Sequence, residues 1–466
     1  MSVVPETRTF DSTQLEPLVA AVAGPVLLPH DESYAAECAG FNLTVLHRPA
    51  VVVGATSPSD VRAAVRFAVE HDLPVAVLAT GHQPFHPANG SVLITTSRMA
   101  SVEVDAANRM ARITAGTLWQ QVVDATTKEG LAPLSGSSPT VGVIGYVLGG
   151  GFSPTMGRTY GWAADHVRAI EIVMADGELR RVTATSDPEL FWAVRGAKSN
   201  FGVVTAIELD LFPVTEFYGG GLFFDGADTA AVLHAYREWI ATAPDTLNSS
   251  VGLLRFPPVP SIPEFLQGKL MVHLRVSYLG SEADGEQLVA PMRAAAPVVV
   301  DALKLTPYEE FAAIHQDPAD PMPYGELGGL LTELTPESVD LIVDVAGPDA
   351  TDFPMLILDI RHLGGALGRP AEVPNSVDIR DAGMTIWGAA LGAPDEIPAQ
   401  LARMRGLLDV LRPWSTGRNY LNFMSGNEAT EQAYTDAVLH RLRTVKTAYD
   451  PTNVFRLNNH NVRPTS

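Results

Sequence analysis

Hydrophobic residues in the first part of the chain occur in short continuous runs that alternate with helical patterns. Residues 50–55 form one such run and predict a buried strand. Ser57 can then cap a helix whose apolar positions 61, 64, 65 and 68 share one face. Residues 74–80 predict the next strand. This strand, helix and strand unit puts Gly81 and His82 just after a strand, where α/β proteins often bind ligands.

Turn residues separate the elements that follow. Asp176-Gly177 predicts a tight hairpin turn, because glycine adopts positive φ without strain. Ser186 and Glu189 match a capping box that would begin a helix. The other elements predicted here are a hairpin of 102–104 with 110–115, a helix over 118–129, a hairpin of 169–175 with 178–185, a helix over 190–194 and a strand over 203–211. Together they predict a mixed α/β domain that ends at Pro213.

After Pro213 the pattern changes to longer strands and longer helices. The strands are predicted over 269–279, 354–362 and 384–391, and the helices over 229–242, 282–294, 336–345 and 396–411. This series predicts a second domain, in which helices cover one face of an antiparallel sheet. A final helix is predicted over 431–447. The expected fold class is therefore α+β.

Charge changes the picture by excluding several partners. The chain has 32 Lys and Arg against 53 Asp and Glu residues, a formal net charge of −21 at pH 7, which repels nucleic acid and anionic membranes. No apolar run approaches the roughly 20 residues that cross a bilayer. Segment 1–11 lacks the pattern of a secretory signal. We therefore expect a soluble, cytoplasmic protein, a monomer or a homodimer, whose partner is a small molecule.

Cys38 is the only cysteine in the sequence. One thiol cannot form a disulfide within the chain or a thiolate-bound metal cluster, and no metal site is predicted. We expect Cys38 to be a buried, inert side chain.

The segment 136–152 reads GSSPTVGVIGYVLGGGF and has the densest group of glycines in the chain. Glycines let backbone amides approach a phosphate or a planar ring closely, although a set of tight turns has the same composition. A Walker P-loop is excluded, because no Gly-Lys-Ser/Thr follows. A nicotinamide-binding motif is disfavoured, because Asp165 lies too near the glycines to be its acidic residue.

An ordered series of motifs narrows the choice. The motifs are Ala79-Thr80-Gly81-His82, Thr140-Val141-Gly142, Leu148-Gly149-Gly150-Gly151, Arg158-Thr159-Tyr160-Gly161 with Asp165, Leu190-Phe191-Trp192-Ala193-Val194-Arg195-Gly196, Asn200-Phe201-Gly202-Val203-Val204-Thr205, Asn419-Tyr420-Leu421-Asn422-Phe423, and Asp450-Pro451-Thr452-Asn453 with Asn459-His460-Asn461. In this order they resemble the berberine-bridge-enzyme-like flavoproteins, which include 6-hydroxynicotine oxidases, within the vanillyl-alcohol oxidase and p-cresol methylhydroxylase superfamily. The resemblance extends from about residue 49 to residue 464.

The resemblance implies a two-part FAD-binding domain of the p-cresol-methylhydroxylase type, over 1–213 and 426–466. The inserted region 214–425 would be the substrate domain, whose sheet stands over the isoalloxazine ring. The residues implied to bind FAD are Ala79, Thr80, Gly81, Gln83, Ser138, Val141, Gly142, Gly145, Gly150, Gly151, Gly202, Val204, Asn459 and Asn461.

The family pattern also implies how the flavin is attached. The histidine of its Gly-His motif, here His82, bonds covalently to the flavin, and His86 is a rival only if the loop is misaligned. Many relatives add a second bond from a cysteine, but Ser138 stands at that position. A single covalent link is therefore expected, and bulky oligosaccharide-like substrates become less favoured.

The implied chemistry is hydride transfer from a small organic substrate to flavin N5, assisted by a base. Tyr420 matches the family's catalytic tyrosine and Asn422 its partner, although a tyrosine bonded to backbone in the core fits the same pattern. Phe152 replaces a second catalytic tyrosine of some relatives. Arg361 and Trp387 are candidate pocket residues, with ion pairing and core packing as the alternatives.

Val141 occupies the family's position for a residue that gates oxygen, where valine accompanies oxidases, and core filling is the alternative. We therefore expect an oxidase of a secondary alcohol, an amine or a phenolic or polyketide-like metabolite, with O2 as acceptor and H2O2 as product. Four alternatives remain: an oxidative cyclase or hydroxylating enzyme of secondary metabolism, a dehydrogenase that uses another acceptor, a flavin-binding protein without turnover, and a nicotinamide dehydrogenase with a Rossmann domain.

Overall fold

The computed structural model describes residues 10–83, 86–260, 262–424, 428–457 and 460–465. Within these ranges the strands form three sheets of four, five and eight strands. The first two sheets come from the chain before Pro213, and the largest comes from the chain after it. The predicted α+β class, with an antiparallel sheet in the second region, is confirmed.

The four-stranded sheet holds the Gly-His motif at its edge. Strands β2 and β3 both pair in parallel with β4, and a buried helix, α3, connects β2 to β3. Ser57 caps α3 by accepting a hydrogen bond from the backbone N–H of Asp60. The elements are α1 Ser12–Ala21, β1 Val26–Leu27, α2 Tyr34–Glu37, β2 Val51–Gly54, α3 Pro58–Glu70, β3 Val75–Leu78 and β4 Val92–Thr95. The chain leaves β3 directly into Gly81 and His82.

The five-stranded sheet is antiparallel and packs on the glycine-rich segment. Gly177 adopts φ +74° at the predicted hairpin turn, and Gly130 adopts φ +69° where the α4 segment ends. The elements are β5 Val102–Asp105, β6 Met110–Thr114, α4 Trp119–Thr126, α5 Val143–Val147, α6 Gly157–Tyr160, β7 Val167–Val173, β8 Leu179–Thr183, α7 Pro188–Ala197 and β9 Val203–Asp210.

The eight-stranded sheet has two faces of opposite character. Its elements are β10 Glu216–Asp225, α8 Thr229–Ile240, β11 Leu247–Arg255, β12 Leu270–Tyr278, α9 Glu282–Arg293, β13 Val298–Asp301, β14 Lys304–Pro307, β15 Tyr324–Leu331, α10 Pro336–Ala346, β16 Ile357–His362, β17 Met384–Leu391 and α11 Ile397–Val410. The apolar cross-strand row Leu222, Leu274, Val251, Ile360 and Ile386 joins the core under the helices. The neighbouring row, Phe223, His273, Gly252, Asp359 and Trp387, points to the opposite face, because successive side chains alternate.

The chain then returns to the first half of the molecule. Helix α12, Asp436–Tyr449, packs against α7. Lys446 and Asp450 form a fully buried ion pair of 2.7 Å at its end. The Lys446 ammonium also donates to the carbonyl of Asn200, and the Asp450 carboxylate accepts from the backbone N–H groups of Val454 and Phe455. This pair therefore connects the segment after α12 to Asn200, which lies between α7 and β9.

Several sequence predictions need correction. The final helix begins at Asp436, not at 431, because Thr435 caps it and a short 3₁₀ helix, Thr430–Ala433, precedes it. The capping box at Ser186 is wrong: Asp187 precedes the helix at φ +63°, and its carboxylate accepts a hydrogen bond from Tyr449. Asn459 lies outside the described residues.

Other predictions are confirmed. Cys38 is a free, buried thiol, and burial raises its pKa to about 11. In the described part of the chain, no helix has the length and apolar character that crossing a bilayer requires.

The buried ion pair generates a stability prediction. Lys446→Met should lower the free energy of unfolding by about 3 kcal/mol or more, because it leaves the Asp450 carboxylate buried without its cation. Urea unfolding at one pH measures the change. Arg443→Met is the control: Arg443 pairs with Glu431 on the surface, and its loss should cost at most about 1 kcal/mol. Equal effects of the two substitutions would contradict a special role for the buried pair.

Candidate active site

A cavity of about 690 Å³ lies between the first two sheets and the polar face of the eight-stranded sheet. One wall is made by the end of β3, the loop after it and the glycine-rich segment. The opposite wall is made by side chains of the large sheet, including His273, Arg361 and Trp387. Its volume falls within the roughly 300–1,000 Å³ of small-molecule and cofactor sites.

His82 stands in the first wall with its ring fixed on both sides. Its imidazole stacks on Phe41 with ring centroids 3.8 Å apart, and its Nε2 lies 3.3 Å from the hydroxyl of Thr140. The Thr140 hydroxyl also contacts that of Ser138 at 3.1 Å. Burial lowers the pKa of His82 to about 4. The ring is therefore neutral at pH 7, and a neutral imidazole keeps a nitrogen lone pair.

Backbone N–H groups collect beside His82. Those of Thr80, Gly81 and His82 donate no hydrogen bond to any described residue, and the same holds for Ser137 and Ser138. Gly81 adopts φ +68°, so neighbouring N–H groups form a concave cluster of the kind that binds anions. A Cβ at Gly81 would lie 2.6 Å from the Cα of Gly40, so only glycine fits.

Most of the residues predicted to bind the cofactor line this cavity. They are Ala79, Thr80, Gly81, His82, Gln83, Ser138, Val141, Gly142, Gly145 and Val204, joined by Asn422, Arg361 and Trp387. Gly150, Gly151, Gly202, Asn461 and Tyr420 do not line it.

Three glycines predicted to bind the cofactor lie outside the cavity lining because they have structural roles. Gly150 and Gly151, at φ +118° and +73°, turn the chain after α5 and pack against Trp162 and Ala163. A Cβ at Gly202 would lie 2.5 Å from the carbonyl of Val173 in the five-stranded sheet. These glycines shape the wall without forming its surface.

Tyr420 lies deeper than expected of a base that meets the substrate directly. Its side chain is 2% exposed and packs with Phe152 and Trp162. The hydroxyl accepts hydrogen bonds from the backbone N–H of Phe152 at 3.0 Å and from Nδ2 of Asn422 at 2.9 Å. Burial raises the pKa of Tyr420 to about 12, although these donors oppose the shift.

Tyr146, which sequence reasoning passed over, does line the cavity. It follows Gly145 in α5, and its hydroxyl donates to the carbonyl of Phe152. Burial, followed by the proximity of Tyr420, raises the pKa of Tyr146 well above 10. The two phenols therefore form a pair with one member at the cavity surface. Its position inside the glycine-rich segment was the feature of the sequence that could have indicated a cavity-lining role for Tyr146.

A second missed group is a polar chain across the cavity. Lys198 donates to Gln83 at 3.1 Å, Gln83 donates to Glu326 at 3.2 Å, and Trp387 donates to Glu326 at 2.8 Å. Burial lowers the pKa of Lys198 to about 7 and raises that of Glu326 to about 7. The chain ties the loop after His82 to the large sheet. Nothing in the local sequence pattern indicates these long-range contacts.

The wall formed by the large sheet carries charged side chains. Arg275 and Arg361 both bind the buried carboxylate of Asp359. A Cβ at Gly252 would lie 3.1 Å from a terminal nitrogen of Arg275, so the missing side chain lets this arginine extend across the neighbouring strand. No group of three or more His, Cys, Asp or Glu side chains that could hold a metal occurs in the described ranges.

The cavity suits FAD in three respects. Unused backbone N–H groups can bind a diphosphate, glycine-lined backbone leaves a slot for a planar ring, and a neutral histidine stands at the slot. The buried Oδ1 of Asn422 also has no hydrogen-bond partner among the described residues, although Asn422 lines the cavity. A bound molecule would complete these groups.

Comparisons with known proteins agree with this geometry. An FAD binding domain model matches residues 49–183, and a model described as berberine and berberine like matches residues 419–463. (R)-6-hydroxynicotine oxidase of Paenarthrobacter nicotinovorans is 27% identical, covering 95% of this chain and 97% of its own length. An FAD-dependent monooxygenase of Cochliobolus heterostrophus is 34% identical over 42% of this chain and 39% of its own length.

Solved structures share the whole fold. The crystal structure of 6-hydroxy-D-nicotine oxidase from Arthrobacter nicotinovorans superimposes with a TM-score of 0.84 at 26% identity, covering 96% of this chain and 99% of that one. Xylooligosaccharide oxidase from Myceliophthora thermophila reaches 0.83 at 20% identity, covering 97% and 99%. The chain is therefore an FAD-linked oxidoreductase of the vanillyl-alcohol oxidase and p-cresol methylhydroxylase superfamily. Within that superfamily it belongs to the berberine-bridge-enzyme-like group, as its motifs predicted.

Proposed function

We propose that this protein is an FAD-dependent oxidase that takes a hydride from a small organic substrate, a secondary alcohol, an amine or a phenolic metabolite, and passes the electrons to O2 to give H2O2. Residues 1–213 and 426–466 would bind FAD, and residues 214–425 would bind the substrate. The observation that carries the proposal is the neutral, ring-stacked His82 beside a cluster of unused N–H groups in a large cavity.

The same observation supports a single covalent link from His82 to the flavin. A covalent bond needs the imidazole lone pair, which protonation would remove, and burial keeps this ring neutral. Ser138 lines the cavity but carries no thiol, while Cys38 lies outside the cavity lining with a raised pKa. We therefore expect no second link from a cysteine.

FAD would supply the hydride acceptor and the redox chemistry. The protein's part is to bind the substrate against the large sheet, to exclude water and to manage one proton. Tyr146 faces the cavity and Tyr420 stands behind it, held by Asn422. We propose that the two tyrosines act as one unit: once one of them has lost its phenolic proton to solvent, the phenolate accepts the proton from the substrate's O–H or N–H group.

A second candidate function is a hydroxylating or oxidatively cyclising enzyme of secondary metabolism. The partial similarity to an FAD-dependent monooxygenase favours it. Product analysis separates the two, because a simple oxidase forms one H2O2 for each substrate oxidised, whereas a hydroxylating enzyme incorporates oxygen into its product.

The covalent link has a direct test. Intact-protein mass should exceed the polypeptide by one FAD, and His82→Ala should lose this added mass while still binding flavin reversibly. Peptide mapping after proteolysis should locate the flavin on His82. His86→Ala is the matched control and should keep the adduct. A flavin found on another residue would overturn the assignment.

The paired phenols should behave as a unit. Tyr146→Phe and Tyr420→Phe should each lower the rate of flavin reduction by about 10² or more, and the double variant should fall little further. Because a group with a pKa of about 12 is mostly protonated at pH 7, the wild-type rate should still rise with pH at pH 9. Anaerobic stopped-flow absorbance measures both effects.

Tyr434→Phe serves as the control, because Tyr434 is a buried tyrosine bonded to the carbonyl of Gly196 away from the cavity lining. Its flavin reduction should match wild type. Multiplicative losses in the double variant, or unchanged rates in the single variants, would separate the phenols from the proton transfer.

Access of oxygen is tested at Val141, which is partly buried and lines the cavity. Val141→Leu should slow reoxidation of the reduced enzyme by about tenfold, a change of ~1.4 kcal/mol in the barrier, because the longer side chain narrows the path. Mixing with oxygenated buffer in a stopped-flow instrument measures it. Ile144→Leu, a change of shape without added volume in the same wall, should leave the rate unchanged. Slow wild-type reoxidation that only a quinone relieves would identify a dehydrogenase.

A further inference from the structure

Two arginines on the polar face of the large sheet share one carboxylate. Arg275 Nη1 lies 2.9 Å from one oxygen of Asp359, and Arg361 Nε lies 2.7 Å from the other. The three side chains are 3%, 6% and 0% exposed. This cluster therefore holds two positive charges and one negative charge, an excess of one positive charge in a region with little water.

No other carboxylate neutralises that excess by direct contact. Among the carboxylates of the described residues, only that of Asp359 lies within 4 Å of either guanidinium. Asp317, a partly exposed residue of the cavity wall, is the next acidic neighbour and makes no ion pair with them. His273 and His315 add no charge, because burial lowers the pKa of both well below 6.5. Burying an unbalanced charge is costly, so an anion bound here would be stabilised.

The cluster also keeps hydrogen-bond donors unused. Arg361 directs only its Nε to Asp359, and its two terminal nitrogens have no partner among the described residues. Arg275 Nε is buried without a partner, as are both ring nitrogens of His315. Arg361, Arg275 and His315 all line the cavity. Buried donors left unpaired in a native protein commonly mark a site that a ligand or water completes.

The surroundings of the cluster limit what such a ligand can be. The guanidinium carbon of Arg361 lies 5.1 Å from the ring centre of Phe423. Phe223, Phe423 and Trp387 supply aromatic walls in the same cavity. A planar guanidinium with two parallel N–H donors matches the two oxygens of a carboxylate. The aromatic walls suit an apolar body attached to that group.

We propose that Arg361, supported by Arg275, binds the carboxylate of the substrate, and that the substrates of this enzyme are small organic acids with an apolar body. The proposal rests on the proposed function for the oxidation itself and adds the chemical class of the substrate. Asp359 acts as the positioning residue, because it orients both guanidinium groups from below. Neutral analogues of such acids would leave the terminal nitrogens of Arg361 unpaired and should bind poorly.

Calorimetric titration of the flavin-loaded protein tests the proposal with three probes: benzoate, 3-phenylpropanoate and 4-phenylbutyrate. At least one acid should bind, and its uncharged amide should bind at least tenfold more weakly. Arg361→Gln should weaken the acid by about 30-fold or more, the range for removing one partner of a buried charged pair. Arg361→Lys, which keeps the charge but loses the fork, should fall between wild type and Arg361→Gln, and it serves if Arg361→Gln does not fold.

Arg255→Gln is the matched control. Arg255 also lines the cavity and has one buried terminal nitrogen, Nη1, without a partner among the described residues, but its Nη2 is held by the backbone carbonyls of Ala346, Gly347 and Ala350. The Arg255→Gln variant loses the same charge as Arg361→Gln, but its affinity for the acid should differ from that of wild type by less than about threefold. Equal binding of acid and amide, no binding by any of the three acids, or an unchanged affinity in Arg361→Gln would each overturn the proposal.

Flavin content separates this proposal from the proposed function. Arg361→Gln should retain its yellow colour after acid precipitation, as wild type should. If the variant lost its flavin, the arginine pair would serve the cofactor and the proposal would fail. A colourless wild-type protein would sink the oxidase assignment whatever the titrations gave, whereas a yellow protein indifferent to the acids would leave that assignment intact.

Discussion

Desolvation of charge on one face of a sheet is the constraint that organises this molecule. Each strand of the large sheet sends alternate residues to opposite sides, and helices cover the apolar side. The other side carries Asp359, Arg361 and Glu326 away from water. Such groups are tolerated only with partners, so the sheet brings them together in pairs and networks. The cavity lies beside groups on this side that have no hydrogen-bond partner among the described residues, such as Nε of Arg275.

Glycine makes this arrangement possible as much as charge does. Gly221 and Gly252 leave room on β10 and β11, so that His273 and Arg275 extend across the neighbouring strands. A Cβ at Gly221 would lie 2.1 Å from the imidazole of His273. The same residue type that lets backbone approach a cofactor on one wall lets long polar side chains lie flat on the other.

Local patterns predicted most elements of the fold but missed seven strands: β1, β4, β10, β11, β13, β14 and β15. In β10 three consecutive glycines interrupt the aromatic residues, and β15 contains Gly325, Gly328 and Gly329, so glycines break the continuous strand pattern in both. Strand β10 forms because it pairs with strands on both of its sides, and β15 forms because it pairs with β17 at the edge of the sheet. These pairings join distant segments, so a short stretch of sequence does not reveal them. The motif series located one wall of the cavity because the residues within each motif are adjacent in sequence. Lys198, Glu326 and the depth of Tyr420 depend on contacts between segments more than 100 residues apart, and the sequence pattern does not encode them.

The buried pair of Lys446 and Asp450 has a consequence for the order of folding. It joins α12 to Asn200, and the carbonyl of Val454 accepts a hydrogen bond from the N–H of Val75, the first residue of the strand that leads to His82. The wall that holds His82 is therefore complete only after the ribosome has made residue 454. Contacts this distant in sequence close slowly, since loop closure costs entropy before they form. Attachment of a flavin at His82, as proposed above, would therefore have to follow the folding of these distant segments.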